Sequence, residues 1–208
     1  MKIAVAATAE QKQELLQPGL AAGTTVEWIE NFHAATDADA IIDLLFDTGE
    51  KERLTCLKNL PQKIVIINDV NGWVQPLPAH FIRVNGWPGF LSRTIAEANC
   101  GNEQIKPEAE RVFSALGRKT EWTTGTPGFI TARTVAMIIN EAYFVLQENI
   151  STKKEIDIAM KTGTNYPYGP FEWCDRIGIK KIYTLLKKLE ETDNAYRPCD
   201  LLTKEAIS

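Results

Sequence analysis

The chain has 208 residues, 44% of them hydrophobic and 24% charged, with a formal net charge of -4 and a pI near 5.4. That length suffices for one large domain or two small ones with a proper core. The acidic balance argues against nucleic acid as the main partner, and no apolar run approaches the length of a membrane span.

The first 125 residues alternate between strand-like and helix-like stretches. Lys2 to Ala6 is an apolar run suited to a buried strand, and Glu10 to Leu16 reads as a short helix. The apolar start, Met1 to Ala9, lacks the basic opening and long apolar centre of a signal peptide, so a cytoplasmic protein is expected. Val26 to Ile29 and Ala40 to Phe46 are further strands. Glu50 to Leu60 is a helix with Pro61 just past its end. The run Ile64-Val65-Ile66-Ile67 within Lys63 to Val70 predicts a strand buried on both faces. Phe81 to Val84 and Arg93 to Ala98 are weaker strands. Lys106 to Leu116 is a helix stopped by Gly117, and Lys119 to Thr123 is a last strand. Such alternation implies a mostly parallel sheet with covering helices.

After Pro127 the pattern is helical only, which places a domain boundary at 125/126. Gly128 to Asn149 is apolar almost all round, the pattern of a helix buried on every side, with part of the cover expected from a second subunit. Ser151 or Thr152 caps the next helix, which Gly163 ends. Tyr166 to Phe171, with two prolines and a glycine, reads as a rigid turn, and Lys180 to Glu191 as the last long helix. The four cysteines, Cys56, Cys100, Cys174 and Cys199, show no CxxC spacing; reduced thiols are expected, with neither a disulfide framework nor a metal site.

A set of residues in the second half has a counterpart in a known family. Thr126-Pro127-Gly128-Phe129-Ile130, Arg133, Asn140-Glu141-Ala142, Ile156 to Met160, Gly163, Tyr168-Gly169-Pro170-Phe171-Glu172, Asp175, Gly178 and Tyr196-Arg197-Pro198 together resemble the C-terminal domain of the 3-hydroxyacyl-CoA dehydrogenases. The match covers roughly residues 106 to 204. The resemblance implies an α/β fold: a shortened Rossmann-like, mostly parallel sheet over residues 1–125. An all-α helical domain of the 6-phosphogluconate-dehydrogenase C-terminal type, over 126–208, would follow and make a homodimer. It also implies NAD-dependent oxidation of 3-hydroxyacyl-CoA in fatty-acid metabolism, with an acyl-CoA-like small molecule as the ligand.

The chemistry that the resemblance implies needs particular residues. A dinucleotide turn needs glycines so that the backbone can approach a pyrophosphate. Where the G-x-G-x-x-G pattern falls, this chain has Ala7, Ala9 and Lys12, with the carboxylate of Glu10 where the pyrophosphate charge would come. Glu27 and Glu30 are ambiguous candidates for the ribose-binding acid. Asp47 and Lys51 fall near the family's acid and Lys at the nicotinamide ribose, although an Asp and a Lys also suit a helix start on capping grounds. The family's catalytic His falls on Asn85, and its orienting Glu, twelve residues on, falls on Glu97. Its substrate-oxygen Asn falls on Ala132. An amide accepts no proton at pH 7. His80, five residues before Asn85, and His33 are candidate substitutes, each with the plainer reading of a loop histidine. Trp73, Trp87 and Trp122 are notable aromatics; core packing is the first expectation for Trp87, next to Pro88 and Gly89. Two readings stand: a dimeric ligand-binding or scaffold protein with degenerate NAD and catalytic sites, and an active NAD-dependent 3-hydroxyacyl-CoA dehydrogenase.

Overall fold

The computed structural model describes residues 1–30, 37–46, 51–60 and 63–208. They form two compact units, Met1–Phe129 and Ile130–Ser208.

The first unit is built on a seven-stranded sheet. Its strands are β1 (Lys2–Ala6), β2 (Thr25–Trp28), β3 (Ala40–Asp43), β4 (Ile64–Ile67), β5 (Phe81–Val84), β6 (Ile95–Cys100) and β7 (Lys119–Trp122), in the order β2-β1-β3-β4-β5-β6-β7. All neighbours are parallel except β5 and β6, which run antiparallel. The central strands β3, β4 and β5 are buried along their whole length, as expected for strands covered on both faces. The edge strands β2 and β7 are partly exposed and carry Glu27, Lys119 and Glu121, charges that discourage pairing with another chain.

Alternation along the strands sends two apolar sets to opposite faces. Ile3, Val5, Ala40, Ile42, Ile64, Ile66, Ile82 and Val84 pack with Leu15 of α1 (Ala9–Leu16) and with Ala109, Val112 and Phe113 of α3 (Lys106–Ala115). Ala4, Ala6, Ile41, Val65, Ile67 and Phe81 pack with Leu57 of α2 (Lys51–Lys58) and with Val74 and Leu77 of the β4–β5 crossover. Arg118 is buried on α1's side. Its guanidinium donates to the carbonyls of Glu14, Leu15, Leu91 and Leu116, and loss of water lowers its pKa to about 10.

The second unit holds α4 (Thr131–Gln147), α5 (Lys153–Thr164), α6 (Pro170–Ile177), α7 (Ile179–Glu190) and α8 (Asp200–Ile207). Four sequence expectations are corrected here. Within this chain the α4 helix is not buried on every side: Ala132, Ala136, Ile139, Asn140 and Tyr143 are buried, whereas Thr134, Glu141 and the C-cap residue Glu148 are exposed. Those three polar residues lie within about 40° of one another on the helical wheel and form a polar stripe. The Tyr166 to Phe171 turn ends inside a helix, because Pro170 is already the first residue of α6; Pro is tolerated there since that N–H has no intrahelical partner. The α8 helix, too short for a clear periodic signal, lies beyond the last helix expected, and α5 runs through Gly163 to a left-handed cap at Asn165.

Two side-chain devices join these helices. Arg133, Asn140 and Gln147 recur every seven residues, so they share one face of α4. The Arg133 guanidinium lies 4.8 Å from the Tyr196 ring centroid. The Asn140 amide donates to Arg197 O and accepts from Cys199 N–H, and Gln147 accepts from Leu201 N–H. Asn140-Glu141-Ala142 and Tyr196-Arg197-Pro198 are therefore two halves of one clamp. The second device caps α6 from outside: Asp157 of α5 accepts the Phe171 N–H at 2.8 Å, while Glu172 accepts from Gly169 N–H and pairs with Lys161. A Cβ at Gly169 would lie 2.3 Å from the Asp157 carboxylate, so only glycine fits.

Gly169→Ala is expected to lower stability by about 1–3 kcal/mol through overpacking, read as a fall in the melting temperature; an unchanged value contradicts the cap. Glu172 is held below its ordinary value of 4.5, first by Lys161 and then by the Gly169 N–H. A depressed carboxyl contributes stability above its unfolded-state pKa and loses it as pH falls through the folded one. The melting-temperature gap between wild type and Glu172→Gln is expected to be full at pH 7 and to close on acidification below that value. A gap that persists unchanged at low pH contradicts this.

Candidate functional site

In a sheet of this order, β1 has β2 on one side and β3 on the other. The strand order reverses between β1 and β3, which stay parallel, and open α/β sheets bind ligands at such a point, outside the carboxyl ends of the strands. In this chain that region is crossed by the protein's own amides. Thr8 caps α1 and accepts the Gln11 N–H, while the Gln11 carbonyl oxygen accepts the Thr8 N–H. The Gln11 amide nitrogen then donates to Leu44 O, just past β3, and to Gly86 O, just past β5. Asn68, just past β4, donates to the same Leu44 O and accepts the Gly86 N–H at 2.9 Å. Gln11 is 4% exposed. One network of carboxamides thus ties together the ends of β3, β4 and β5 and the first turn of α1.

The loop after β5 is held over α1 as well. Both carboxylate oxygens of Glu14 accept the Gly89 N–H, at 2.7 and 2.9 Å, and Arg118 donates to Leu91 O. Trp87 and Phe90 are buried here, so Trp87 is a packing residue. Asp43, at the carboxyl end of β3, is fully buried and takes a bidentate fork from Arg53 at 2.5 and 2.6 Å, the strongest common geometry for such a pair.

The antiparallel register of β5 and β6 pairs Val84 with Ala98. One step further, Asn85 lies opposite Glu97, which is why a spacing of twelve brings them together. The Asn85 N–H donates to Glu97 O at 3.3 Å, and its amide nitrogen donates to the Glu97 carboxylate at 3.4 Å. The Asn85 carbonyl oxygen accepts from Trp87 N–H at 3.4 Å. The reverse amide orientation would set oxygen against carboxylate and NH2 against N–H, so the chemistry selects this one. The amide offers no basic lone pair, and Asn85 is 7% exposed.

The other sequence candidates are dispersed. Ala7 and Ala9 flank the Thr8 cap, and the exposed Glu10 lies in the first turn of α1. The Lys12 ammonium lies 5.1 Å from the Trp28 ring centroid, over the end of β2. Glu27 pairs with Lys2 at 2.9 Å. Lys51 is exposed at the start of α2, whereas Asp47 and His33 lie outside the described residues. His80 precedes β5, with Nε2 3.4 Å from Leu57 O and its ring edge-on to Phe81. It lies five residues from Asn85 along an extended strand, roughly 16 Å away, so it cannot stand in for a base at that position. Ala132 belongs to the second unit and is fully buried in α4. Trp73 is exposed, and Trp122 donates to Glu110. Among the described residues no group of three or more His, Cys, Asp or Glu is placed to hold a metal, and no helix is long and apolar enough to cross a membrane.

A nicotinamide dinucleotide approaching this crevice would meet side chains of the protein itself. The helix N-terminus that would hold its pyrophosphate has its cap closed by Thr8 and Gln11. The Gln11 side chain bonds across the ends of β3 and β5, and Lys12 lies over the Trp28 ring at the end of β2. Residues overlooked by sequence reasoning make the closure: Gln11, Glu14, Asn68 and Arg118. A signal existed for Gln11, since Thr8-x-x-Gln11 is a capping-box spacing. Gln11→Ala removes the Gln11 donor from Gly86 O, while Leu44 O keeps its bond from Asn68, and is expected to cost about 1–3 kcal/mol. The exposed Gln13→Ala serves as the control. Equal melting temperatures for the two variants would contradict the bridging role.

Comparison with known proteins adds the ancestry. Residues 128–206 match the family model described as 3-hydroxyacyl-CoA dehydrogenase, C-terminal domain. A 3-hydroxyadipyl-CoA dehydrogenase of Escherichia coli is 38% identical over 116 residues, 55% of this chain and 24% of that protein. A 3-hydroxybutyryl-CoA dehydrogenase of Bradyrhizobium diazoefficiens is 39% identical over 100 residues, 47% of this chain and 34% of that protein. The chain thus spans about a quarter to a third of the length of these curated relatives. Among solved structures, the (S)-3-hydroxybutyryl-CoA dehydrogenase of Ralstonia eutropha superposes with a TM-score of 0.75 at 17% identity, covering 98% of this chain and 92% of that one. FadB2 of M. tuberculosis gives 0.77 at 13% identity, covering 99% and 93%. At those identities the likeness shows the fold: a Rossmann-like α/β sheet unit followed by a helical domain. The match thus identifies residues 128–206 as a 3-hydroxyacyl-CoA dehydrogenase C-terminal domain.

Proposed function

We propose that this chain acts as a dimeric ligand-binding or scaffold protein on a 3-hydroxyacyl-CoA dehydrogenase frame, degenerate at the NAD and catalytic sites. The observation that carries this reading is the Gln11 amide bonded to Leu44 O and Gly86 O across the strand ends. The Asn85–Glu97 pair supports it: where a general base needs a titratable nitrogen against a carboxylate, an amide stands instead. The fold decides none of this, because chemistry belongs to the site. The ligand class proposed is an acyl-CoA-like small molecule, on the strength of the CoA thioesters named in the relatives. A cytoplasmic location belongs to the same proposal.

A second reading has its own support. Glu97 stands in the register that the family's orienting acid requires, and the relatives are dehydrogenases. On that reading the chain is an active NAD-dependent 3-hydroxyacyl-CoA dehydrogenase. Titration of NADH, followed by its fluorescence, separates the two. The degenerate reading expects no saturable binding at micromolar concentration and no acetoacetyl-CoA-dependent oxidation of NADH. Turnover that disappears in Glu97→Gln would establish the enzyme.

The dimer is proposed to form through the second unit. Met137, Ile138, Phe144 and Val145 flank the polar stripe of α4 and are only half-buried, and Ile130 and Ile158 are exposed. Association would remove this apolar surface from water, at roughly 25 cal/mol per Å². Light scattering is expected to give twice the chain mass at low micromolar concentration, and Ile138→Asp is expected to give a folded monomer or an unfolded chain. A monomeric wild type would end this part of the proposal.

A further inference from the structure

β5 carries an arginine inside an apolar strand, Phe81-Ile82-Arg83-Val84, and its side chain is fully buried. A guanidinium stays charged at any ordinary pH, so burying one demands partners. Desolvation lowers the Arg83 pKa, and the nearby Asp69 works in the opposite direction. The Arg83 Nε donates to Asp69 O at 3.0 Å and lies 3.5 Å from the Asp69 carboxylate. The carboxylate is itself fixed by the N–H groups of Trp73 and Val74, both at 3.0 Å.

The other arm of the fork leaves the sheet. Nη1 donates to Gly125 O at 3.0 Å, and the guanidinium carbon lies 5.4 Å from the Phe129 ring centroid. Nη2 is buried against Gly72 without a hydrogen-bond partner in the structure. Gly125 and Phe129 bracket the segment that ends the first unit. That segment is held again by the Gly128 N–H on Val70 O, at 2.8 Å. Its last two residues are both left-handed, Gly128 at φ 86° and Phe129 at φ 50°. A bulky residue takes that conformation only where its surroundings impose it.

The strand alone does not call for an arginine. An apolar residue would fill a position beside Phe81 without stranding Nη2, and replacing a buried ion pair by apolar groups is often neutral or stabilising. What an apolar residue cannot do is reach the backbone of residue 125 and stack on residue 129 at once. Lysine cannot do so either, having a single ammonium and no flat fork.

We propose that Arg83 is a positioning residue, a latch held in place by Asp69, which fixes the path of residues 124–129 as the chain leaves the first unit. With the latch open, this segment moves freely while the sheet stays folded. The inference rests on contacts within the first unit and is independent of the proposed function.

Hydrogen exchange of the full chain, read by mass spectrometry, tests it with Arg83→Met, Arg83→Lys and Asp69→Asn. In Arg83→Met, exchange over residues 124–130 is expected to rise at least tenfold, with Gly128 included, while Ile64–Ile67 and α7 keep wild-type protection. Arg83→Lys is expected to raise exchange over the same residues by at least fivefold, and Asp69→Asn to raise it to a smaller extent. Connector exchange within twofold of wild type in both arginine variants would overturn the latch. So would a rise shared equally by β4 and β5, which would make Arg83 a core residue only. If Arg83→Met does not fold, the lysine variant decides by the same criteria.

Discussion

Parallel strands that end side by side leave backbone carbonyls and amides facing one crevice, and the fate of that crevice follows from what satisfies them. Here the satisfying group is the Gln11 carboxamide. It donates to Leu44 O and Gly86 O while its own oxygen closes the α1 cap. Buried polar groups are costly to leave unpaired, so a side chain that supplies these donors is hard to displace. Asn68 on one side and Glu14 on the other extend the same closure to the loop after β5. The Asn85–Glu97 contact sits at the edge of this region, with its amide oriented by Trp87 N–H.

The two units differ in how they treat the inherited pattern. In the second, the motifs are intact and each has a mechanical reason. Gly169 gives the Asp157 carboxylate room to cap α6. Asn140 holds the backbone on either side of Pro198. These are packing constraints, and they persist whatever chemistry the protein performs. In the first, the strand ends are tied by side chains of this chain itself: Gln11 and Asn68 on the Leu44 carbonyl, and Asn85 against Glu97.

Much of the fold was legible from residue pattern. The run Ile64-Val65-Ile66-Ile67 announced a buried strand and Phe81 to Val84 a weaker one, and the strands observed are Ile64–Ile67 and Phe81–Val84, both buried. The antiparallel turn of β6 was not legible, since a strand's direction leaves no trace in its own alternation. The α4 helix looked apolar all round because Met137, Ile138, Phe144 and Val145, which are half-buried beside the polar stripe, are as apolar as the buried Ile139 and Tyr143. Of the site, the apposition of Asn85 and Glu97 was readable from their spacing once the resemblance was recognised. The Gln11 bridge, the Arg53 fork on Asp43 and the Arg83 contacts were not readable. Each joins residues far apart in the chain through side chains whose reach depends on the folded backbone.

The central claim is that the carboxyl edge of the sheet is closed by the protein's own groups and holds no dinucleotide. Thermal unfolding with and without millimolar NADH tests it most directly, because any ligand that binds only the folded state stabilises it. A ligand present at a hundred times its dissociation constant adds about 2.7 kcal/mol. The account predicts a melting temperature that does not move with NADH. A rise of several degrees that saturates with NADH concentration would contradict it.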